Sequence, residues 1–143
     1  DLPVSGGEMS RVELEMTAKQ ISQHYELPAD IVRHLVFTYG SNFDSLIRLM
    51  LDDERLRQRL VADLPYVKAE IIYAARYEMA MTLADAMTRR TRLAMLAGPA
   101  ALDCAPGAAE LMAEELGWDR AEIERQLAMF VREFEREYSV KSI

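Results

Sequence analysis

The sequence predicts an all-α fold, a compact bundle of about six helices joined by short loops. Apolar residues recur at three- and four-residue spacing along most of the chain, which is the period of a helix rather than of a strand. Ser, Asp or Pro precedes several of these runs and Gly follows some of them, as at helix ends. Half of the 143 residues are hydrophobic and only 6 are glycine, a composition typical of one globular domain.

The first part of the chain is expected to hold three helices. Ser10 and Glu13 form a capping-box pattern, and Pro28 fits the first position of the second helix. Gly40 is expected to end that helix and Ser41 to cap the third. The predicted core faces are Leu14, Ala18, Ile21 and Tyr25 in the first helix, Ile31, Val32, Leu35, Val36 and Tyr39 in the second, and Phe43, Leu46, Ile47 and Met50 in the third.

The middle of the chain is expected to hold two helices after a polar segment. Residues 52–60 are predicted to form a loop with a short helical turn, and Pro65 to open the fourth helix. The buried row of that helix is predicted to be Val67, Ile71, Ala74 and Glu78. A break is expected near Met81, after which Thr82 and Asp85 predict the cap of a fifth helix.

The last part is expected to hold two more helices. Residues 97–107 contain two prolines and two glycines and are predicted to be a surface loop. A helix is predicted from about Ala108 to Leu116, with Gly117 as its left-handed end. A capping box is predicted for the final helix, formed by Asp119 and Glu122, and its apolar stripe is Ile123, Leu127, Phe130, Phe134 and Tyr138.

Composition excludes several classes of function. The net charge is −7, and an acidic surface disfavours binding to nucleic acid or to anionic lipid, so no nucleic-acid partner and no direct membrane contact are expected. No apolar run approaches the ~20 residues of a membrane span. The single cysteine, Cys104, cannot form a disulfide within the chain, which indicates a reducing, cytoplasmic location.

Motifs for catalysis, metal binding and cofactor binding are absent from the sequence. It contains no glycine-rich nucleotide motif and no pair of closely spaced cysteines or histidines. His24 and His34 fall on different predicted helices, and the acidic run Asp52–Glu54 is expected to be a solvated face. We therefore predict no catalytic residue, no metal ligand and no cofactor-binding residue within this chain.

A cluster of arginines in an apolar stretch is the main anomaly of the sequence. If residues 82–96 form one helix, Arg89 and Arg90 project from its apolar face, whereas Arg92 lies with Asp85 on the polar side. A nucleic-acid patch, a phosphate site and a buried ion-pair core are the three possible explanations. A nucleic-acid patch needs a broad basic surface with interleaved aromatic residues, and this cluster has neither.

A carboxylate that is also predicted to lie on an apolar helix face favours the ion-pair explanation. Glu78 lies on the apolar row of its own helix, and an unpaired buried charge is costly. Arginine also pairs with carboxylates through two parallel hydrogen bonds. We predict a buried or half-buried network between Glu78 and the pair Arg89 and Arg90, with Glu70 as a second acceptor.

Three stretches resemble one known family. They are "HLVFTYGSNFDSLIRL" (34–49), "LPYVKAEIIYAARYEMAMTLADAMTRRTRL" (64–93) and "AAELMAEELGW" (108–118). The resemblance is to the C-terminal helical domain of FAD-dependent glycerol-3-phosphate dehydrogenases and glycerophosphate oxidases. The matching positions include the turn Tyr39, Gly40 and Ser41 and the ordered set Glu70, Glu78, Thr82, Leu83, Asp85, Arg89, Arg90, Thr91 and Arg92.

The resemblance implies a fragment of a flavoenzyme. Residues 1–9 would be a linker from a missing N-terminal FAD domain, and residues 10–143 a single C-terminal helical domain. The parent enzymes oxidise sn-glycerol 3-phosphate to dihydroxyacetone phosphate and pass electrons through FAD to quinone or, in the oxidases, to oxygen. No catalytic residue is carried onto this chain, which would bind no FAD and would be inactive alone.

The resemblance also implies partners and a location. The domain would pack on the N-terminal FAD and substrate domain of the same chain, and a homodimer contact is a further option. The parent would be cytoplasmic or peripheral on the inner face of the bacterial cytoplasmic membrane. Two other functions stay open, an independent helical module that binds another protein and a phosphate-binding regulatory domain built on the arginines.

Overall fold

The computed structural model describes residues 10–139 and confirms the all-α fold. Seven α-helices lie in that range: α1 (Arg11–Tyr25), α2 (Ala29–Tyr39), α3 (Phe43–Asp52), α4 (Lys68–Tyr77), α5 (Leu93–Ala97), α6 (Ala100–Leu116) and α7 (Arg120–Phe134). Two 3₁₀ turns, Gly40–Asn42 and Glu54–Arg57, and two π-helical segments, Asp85–Arg90 and Glu135–Ser139, complete the helical structure described. The predicted linker, residues 1–9, lies outside this range.

The chain divides into two compact units, one ending at Arg57 and one beginning at Gln58. In the first unit α1 packs on α2, and α2 packs on α3. In the second, α6 contacts α4, α5 and α7, so it is the central helix of that unit. The assignment of residues 10–143 to a single domain stays a prediction.

The predicted caps and core faces of the first unit are largely confirmed. The Ser10 hydroxyl accepts a hydrogen bond from the Glu13 N–H at 3.1 Å, and the Glu13 carboxylate accepts one from the Ser10 N–H at 2.9 Å. Gly40 ends α2 with a φ of +55°. The α2 and α3 stripes are buried except for Tyr39, which is half-buried. In α1 only Ala18 is buried and Tyr25 is exposed.

The start of α3 differs from the prediction. Ser41 does not cap it, because residues 40–42 form a 3₁₀ turn that continues directly into α3 at Phe43. The position before that helix, Asn42, already has helical backbone angles, so there is no extended residue for a side-chain cap to sit on.

The start of α4 also differs, since the helix begins at Lys68 rather than at Pro65. A hydrogen-bonded loop holds the preceding residues out of helical conformation. The Leu60 N–H donates to the Tyr66 carbonyl at 2.8 Å, and the Lys68 N–H donates to the Gln58 carbonyl at 2.9 Å. These tertiary bonds outweigh the preference of proline for the first helical turn.

The predicted surface loop at residues 97–107 is wrong. Within it only Gly98, with a φ of +60°, and Pro99 interrupt the helices, and α6 then runs from Ala100 through Pro106 to Leu116. Alanine has the highest helix propensity, and four alanines of α6 share a buried face: Ala101, Ala105, Ala108 and Ala109. Burial of this face offsets the helix hydrogen bond that Pro106 cannot donate.

The end of α6 and the start of α7 follow the predicted signals. Gly117 has a φ of +77°, and its N–H and that of Trp118 both donate to the Ala113 carbonyl. The Asp119 carboxylate caps α7 by accepting from the Glu122 N–H at 2.8 Å. The other half of the predicted box does not form, since the Glu122 carboxylate instead accepts from Arg125 and Gln126.

Candidate functional site

The arginine segment is two short helical pieces rather than the single helix predicted for residues 82–96. Thr82 caps the first piece, as predicted, by accepting from the Asp85 N–H at 3.0 Å. That piece becomes π-helical over Asp85–Arg90, and α5 begins at Leu93. Between them Arg92 adopts a left-handed φ of +60°, which ends the helical path.

Buried Thr91 stabilises this break. Its backbone N–H donates to the Ala86 carbonyl at 3.1 Å, five residues back, which is the hydrogen bond of a π-turn. Its hydroxyl donates to the same carbonyl at 2.8 Å and accepts from the Leu93 N–H at 3.2 Å. One side chain therefore ends the π-helical piece and starts α5.

The prediction that Arg89 and Arg90 lie on the apolar face is wrong, because both side chains are exposed. Their side chains are 64% and 42% exposed, and each pairs with Asp85, at 3.2 Å from Arg89 Nη1 and 3.4 Å from Arg90 Nε. The predicted rows assumed 3.6 residues per turn, whereas a π-helical turn holds more. The face turned to the core is therefore formed by Leu83, Ala86 and Met87, which are fully buried.

Glu78 lies half-buried at the carboxyl end of α4 and remains coupled to this cluster. Burial raises its pKa above the usual carboxyl value, the Arg90 guanidinium opposes that shift, and the charges of Glu70 and Asp85 add to it. Both arginines are ion-paired to Asp85 rather than to Glu78. The structural importance of the predicted network stays a prediction, with Asp85 as the acceptor that the geometry indicates.

Glu70 occupies the other end of α4. Its side chain is buried, and its carboxylate accepts a hydrogen bond from the Val67 N–H at 2.9 Å, which caps the first turn of the helix. Exposed Arg92 lies near Tyr66: burial raises the pKa of the Tyr66 hydroxyl, the Glu70 charge raises it further and the Arg92 charge lowers it. The Glu70 charge also contributes to the raised pKa of Glu78 at the other end of α4.

Gln126 is a buried site residue that the sequence reasoning missed. Its Oε1 accepts from the Leu83 N–H at 3.1 Å, and its Nε2 donates to the Glu122 carboxylate at 2.8 Å. A side chain of helix α7 thereby fixes the start of the arginine segment. The available signal was its position, since Gln126 stands three residues after Ile123 and four before Phe130 on the apolar stripe.

The remaining polar candidates form no metal-ligand cluster in the described part of the chain. No three His, Cys, Asp or Glu side chains among residues 10–139 are placed to share a metal ion. Asp53 pairs with Arg55 at 2.8 Å, and the His34 ring lies 3.1 Å from the Thr38 hydroxyl. Burial raises the pKa of the Cys104 thiol, which disfavours the nucleophilic thiolate.

The turn motif Tyr39, Gly40 and Ser41 belongs to the first unit, whereas the arginine segment belongs to the second. Gly40 and Ser41 form the 3₁₀ turn with Asn42, and Tyr39 is half-buried at the end of α2. The left-handed Gly40 gives the turn its geometry, because a side chain at that φ is strained. Among residues 10–139, no helix is both long and apolar enough to cross a bilayer.

Comparison with known proteins assigns the family. The model for the C-terminal domain of alpha-glycerophosphate oxidase matches residues 1–123. A glycerol-3-phosphate dehydrogenase of Synechocystis sp. is 27% identical over 128 residues, which are 90% of this chain and 23% of that protein. The mitochondrial glycerol-3-phosphate dehydrogenase of Bos taurus is 37% identical over 112 residues, covering 76% of this chain and 15% of the relative.

A third relative gives the same picture. Glycerol-3-phosphate dehydrogenase 2 of Mycobacterium tuberculosis is 35% identical over 106 residues, which are 74% of this chain and 18% of that protein. The chain thus spans between 15% and 23% of the length of these relatives. No solved structure matches it. The chain belongs to the family of C-terminal domains of alpha-glycerophosphate oxidase and the related glycerol-3-phosphate dehydrogenases.

Proposed function

We propose that the chain is the non-catalytic C-terminal cap domain of an FAD-dependent sn-glycerol-3-phosphate dehydrogenase. The whole enzyme would oxidise glycerol 3-phosphate to dihydroxyacetone phosphate, with electrons leaving through FAD to a quinone. The family match over residues 1–123 carries this proposal, because it includes the whole ordered set from Glu70 to Arg92. We place the domain on the cytoplasmic side, where the single cysteine stays reduced.

The described residues do not fit an FAD site. A dinucleotide site needs a strand, a glycine-rich turn and a helix whose N-terminus faces the pyrophosphate. Residues 10–139 contain no strand beyond the isolated Arg59–Val67 bridge. Left-handed Gly40, Gly98 and Gly117 each end a helix. We therefore assign FAD and the substrate to the part of the enzyme that precedes this domain.

The charge arrangement of the arginine segment supports a structural role rather than a phosphate site. The Asp85 carboxylate accepts from both Arg89 and Arg90, so one anion is already supplied by the chain itself. A phosphate would have to compete with a tethered carboxylate for the same donors. Titration of glycerol 3-phosphate into the 143-residue chain tests this alternative, and chemical-shift changes at Arg89 or Arg90 would support it.

The full-length protein tests the main proposal. Purified with FAD, it should reduce a quinone or an artificial acceptor when sn-glycerol 3-phosphate is added, and the 143-residue chain alone should not. Glycerol and sn-glycerol 1-phosphate are the controls for the phosphate and for the stereochemistry. Absence of glycerol 3-phosphate oxidation by the full-length protein would contradict the enzyme assignment, and activity of the chain alone would contradict the cap role.

A further inference from the structure

Three large apolar side chains face solvent at the last residue of α4 and in the segment that joins α4 to the arginine segment. Tyr77 is 55% exposed, Met79 is 74% exposed and Met81 is 61% exposed. We call these three residues the methionine strip. The residues between them turn inward, since Glu78 is half-buried and Ala80 is fully buried. Exposed apolar residues thus alternate with residues turned away from solvent along this segment.

The backbone of this segment is fixed rather than loose. The Glu78 and Ala80 N–H groups both donate to the Ala74 carbonyl, at 3.1 and 3.0 Å. Between them Met79 has a φ of +62°, a left-handed conformation that is strained for any residue with a side chain. The chain thus retains a strained methionine whose side chain contacts solvent, an arrangement typical of a binding surface rather than of a solvated loop.

Donor groups follow the strip in the sequence. Arg90 acts electrostatically on Glu78, which stands between Tyr77 and Met79 in the sequence. The side chains of Arg89 and Arg90 are exposed, and each donates one hydrogen bond to Asp85. The surface that fits is therefore an apolar cleft with carboxylate or carbonyl oxygens at its rim. Methionine suits such contacts because its flexible side chain adapts to the cleft.

We propose that the methionine strip docks into such a cleft on the N-terminal, FAD-binding part of the same polypeptide. This inference rests on the proposed function. The family model describes a C-terminal domain, and the curated relatives are long enough that this chain covers only 15–23% of them. The bulk of the protein that precedes this domain is therefore available as a permanently tethered partner.

The size of the strip favours a tethered partner over a second copy of the chain. Three side chains of about 200 Å² each, exposed by 55–74%, offer roughly 400 Å² of surface. A stable complex of separate proteins buries about 800 Å² on each partner. A covalent link supplies an effective concentration in the millimolar range, so a smaller surface is sufficient within one chain.

Methionine oxidation in the active full-length protein tests the docking. Hydrogen peroxide converts exposed methionines to sulfoxides, which mass spectrometry measures residue by residue. The rates in native and in urea-unfolded protein give a protection factor for each methionine. We expect about tenfold protection or more at Met79 and Met81, although Met79 is the most exposed of these side chains within the domain. Protection of Met79 below about threefold in active enzyme would overturn the proposal.

A matched pair of variants extends the test. Met79→Gln removes the centre of the strip, whereas Met16→Gln changes a methionine of α1 that is 57% exposed. Met81 should lose most of its protection in the first variant and none in the second. Equal protection of Met81 in both variants would overturn the proposal, as would protection that disappears when the full-length protein is diluted to monomer, which would assign the strip to a second copy.

The outcome is separable from that of the proposed function. Active full-length protein in which Met79 is unprotected contradicts the docking alone. Protein in which Met79 and Met81 are protected, but which does not oxidise glycerol 3-phosphate, supports the docking and contradicts the enzyme assignment.

Discussion

The α6–α7 junction and the arginine segment both turn the chain between helices, but they do so by different means. At the junction, Gly117 ends one helix and Asp119 caps the next, through contacts that span at most five residues. In the arginine segment, the start is fixed by Gln126, which lies 43 residues away from its partner Leu83. Buried Thr91 fixes the other end.

The difference separates local from tertiary determination of backbone path. A glycine or a capping side chain acts on its own neighbours in the sequence. Replacing it therefore costs no more stability than the loss of one helix cap. A buried side chain that satisfies a distant N–H also carries the penalty of leaving that group unsatisfied when it is removed. The arginine segment should therefore be more sensitive to substitution than the junction.

Gln126→Leu should have the largest effect. Leucine keeps the approximate volume but leaves the buried Leu83 N–H without its acceptor, so we expect the free energy of unfolding to fall by about 2 kcal/mol. Urea denaturation measures this change. Gln20→Leu on the exposed side of α1 is the control and should stay within about 0.5 kcal/mol. A loss for Gln126→Leu no larger than that of the control would break the comparison.

Thr91→Val should have the next largest effect. The two side chains have the same shape, but valine neither accepts from the Leu93 N–H nor donates to the Ala86 carbonyl. We expect a loss of about 1.5 kcal/mol in the free energy of unfolding. Thr17→Val in α1, also a β-branched exchange, should change it by less than about 0.5 kcal/mol. Equal effects at the two threonines would contradict the role of Thr91.

Gly117→Ala sharpens the comparison from the junction side. At a φ of +77° an alanine is strained although no atom lies within 4 Å of the added methyl group, so we expect a loss of about 1 kcal/mol. The control has the opposite sign. Gly107→Ala, inside α6 with equally open space, should stabilise the protein by about 0.5 kcal/mol. Thermal unfolding measures both, and the same sign for both variants would contradict this explanation.

Glu78→Gln should have the smallest effect, and it depends on pH. Burial raises the pKa of Glu78 against the opposing charge of Arg90, so the folded state holds this proton more tightly than the unfolded chain does. The wild type consequently loses stability as the pH rises from about 4 towards neutral, and glutamine removes that loss. The melting temperature of Glu78→Gln should therefore increase relative to that of the wild type as the pH rises.

Exposed Glu124→Gln is the control for that experiment. The difference between its melting temperature and that of the wild type should change less with pH. The ion-pair network predicted from the sequence expects the opposite sign, because removing the Glu78 charge would leave Arg90 with one acceptor fewer. A variant that becomes less stable than the wild type as the pH rises would support that network.

The extent to which the sequence predicts this fold follows from the same distinction. The caps at Ser10, Thr82 and Asp119 and the helix end at Gly117 are local, and they are confirmed. The start of α4 is not local, because the bonds that delay it run from Gln58 and Leu60 across a loop. The continuation of α6 through Pro106 depends on burial of an alanine face against other helices.

The sequence indicates which residues belong to the candidate site better than it indicates how they are arranged. Asp85 pairs with Arg90, and the Arg90 charge opposes the rise in the Glu78 pKa, whereas the network predicted around Glu78 stays a prediction. The pairing could not be predicted, because it depends on a π-helical turn that changes which side chains share a face. Gln126 was recoverable as a polar residue on an apolar stripe, but nothing in its neighbourhood in sequence names its partner Leu83.

Pro106 has a consequence for how the second unit opens. It interrupts the hydrogen-bond ladder in the middle of α6, the helix that contacts α4, α5 and α7. The Leu102 carbonyl therefore lacks the helical hydrogen bond that an N–H at position 106 would donate, which weakens the helix at this point. Amide hydrogen exchange should divide α6 at this point into two cooperative units, with the stretch before Pro106 opening independently of the stretch that ends at Gly117.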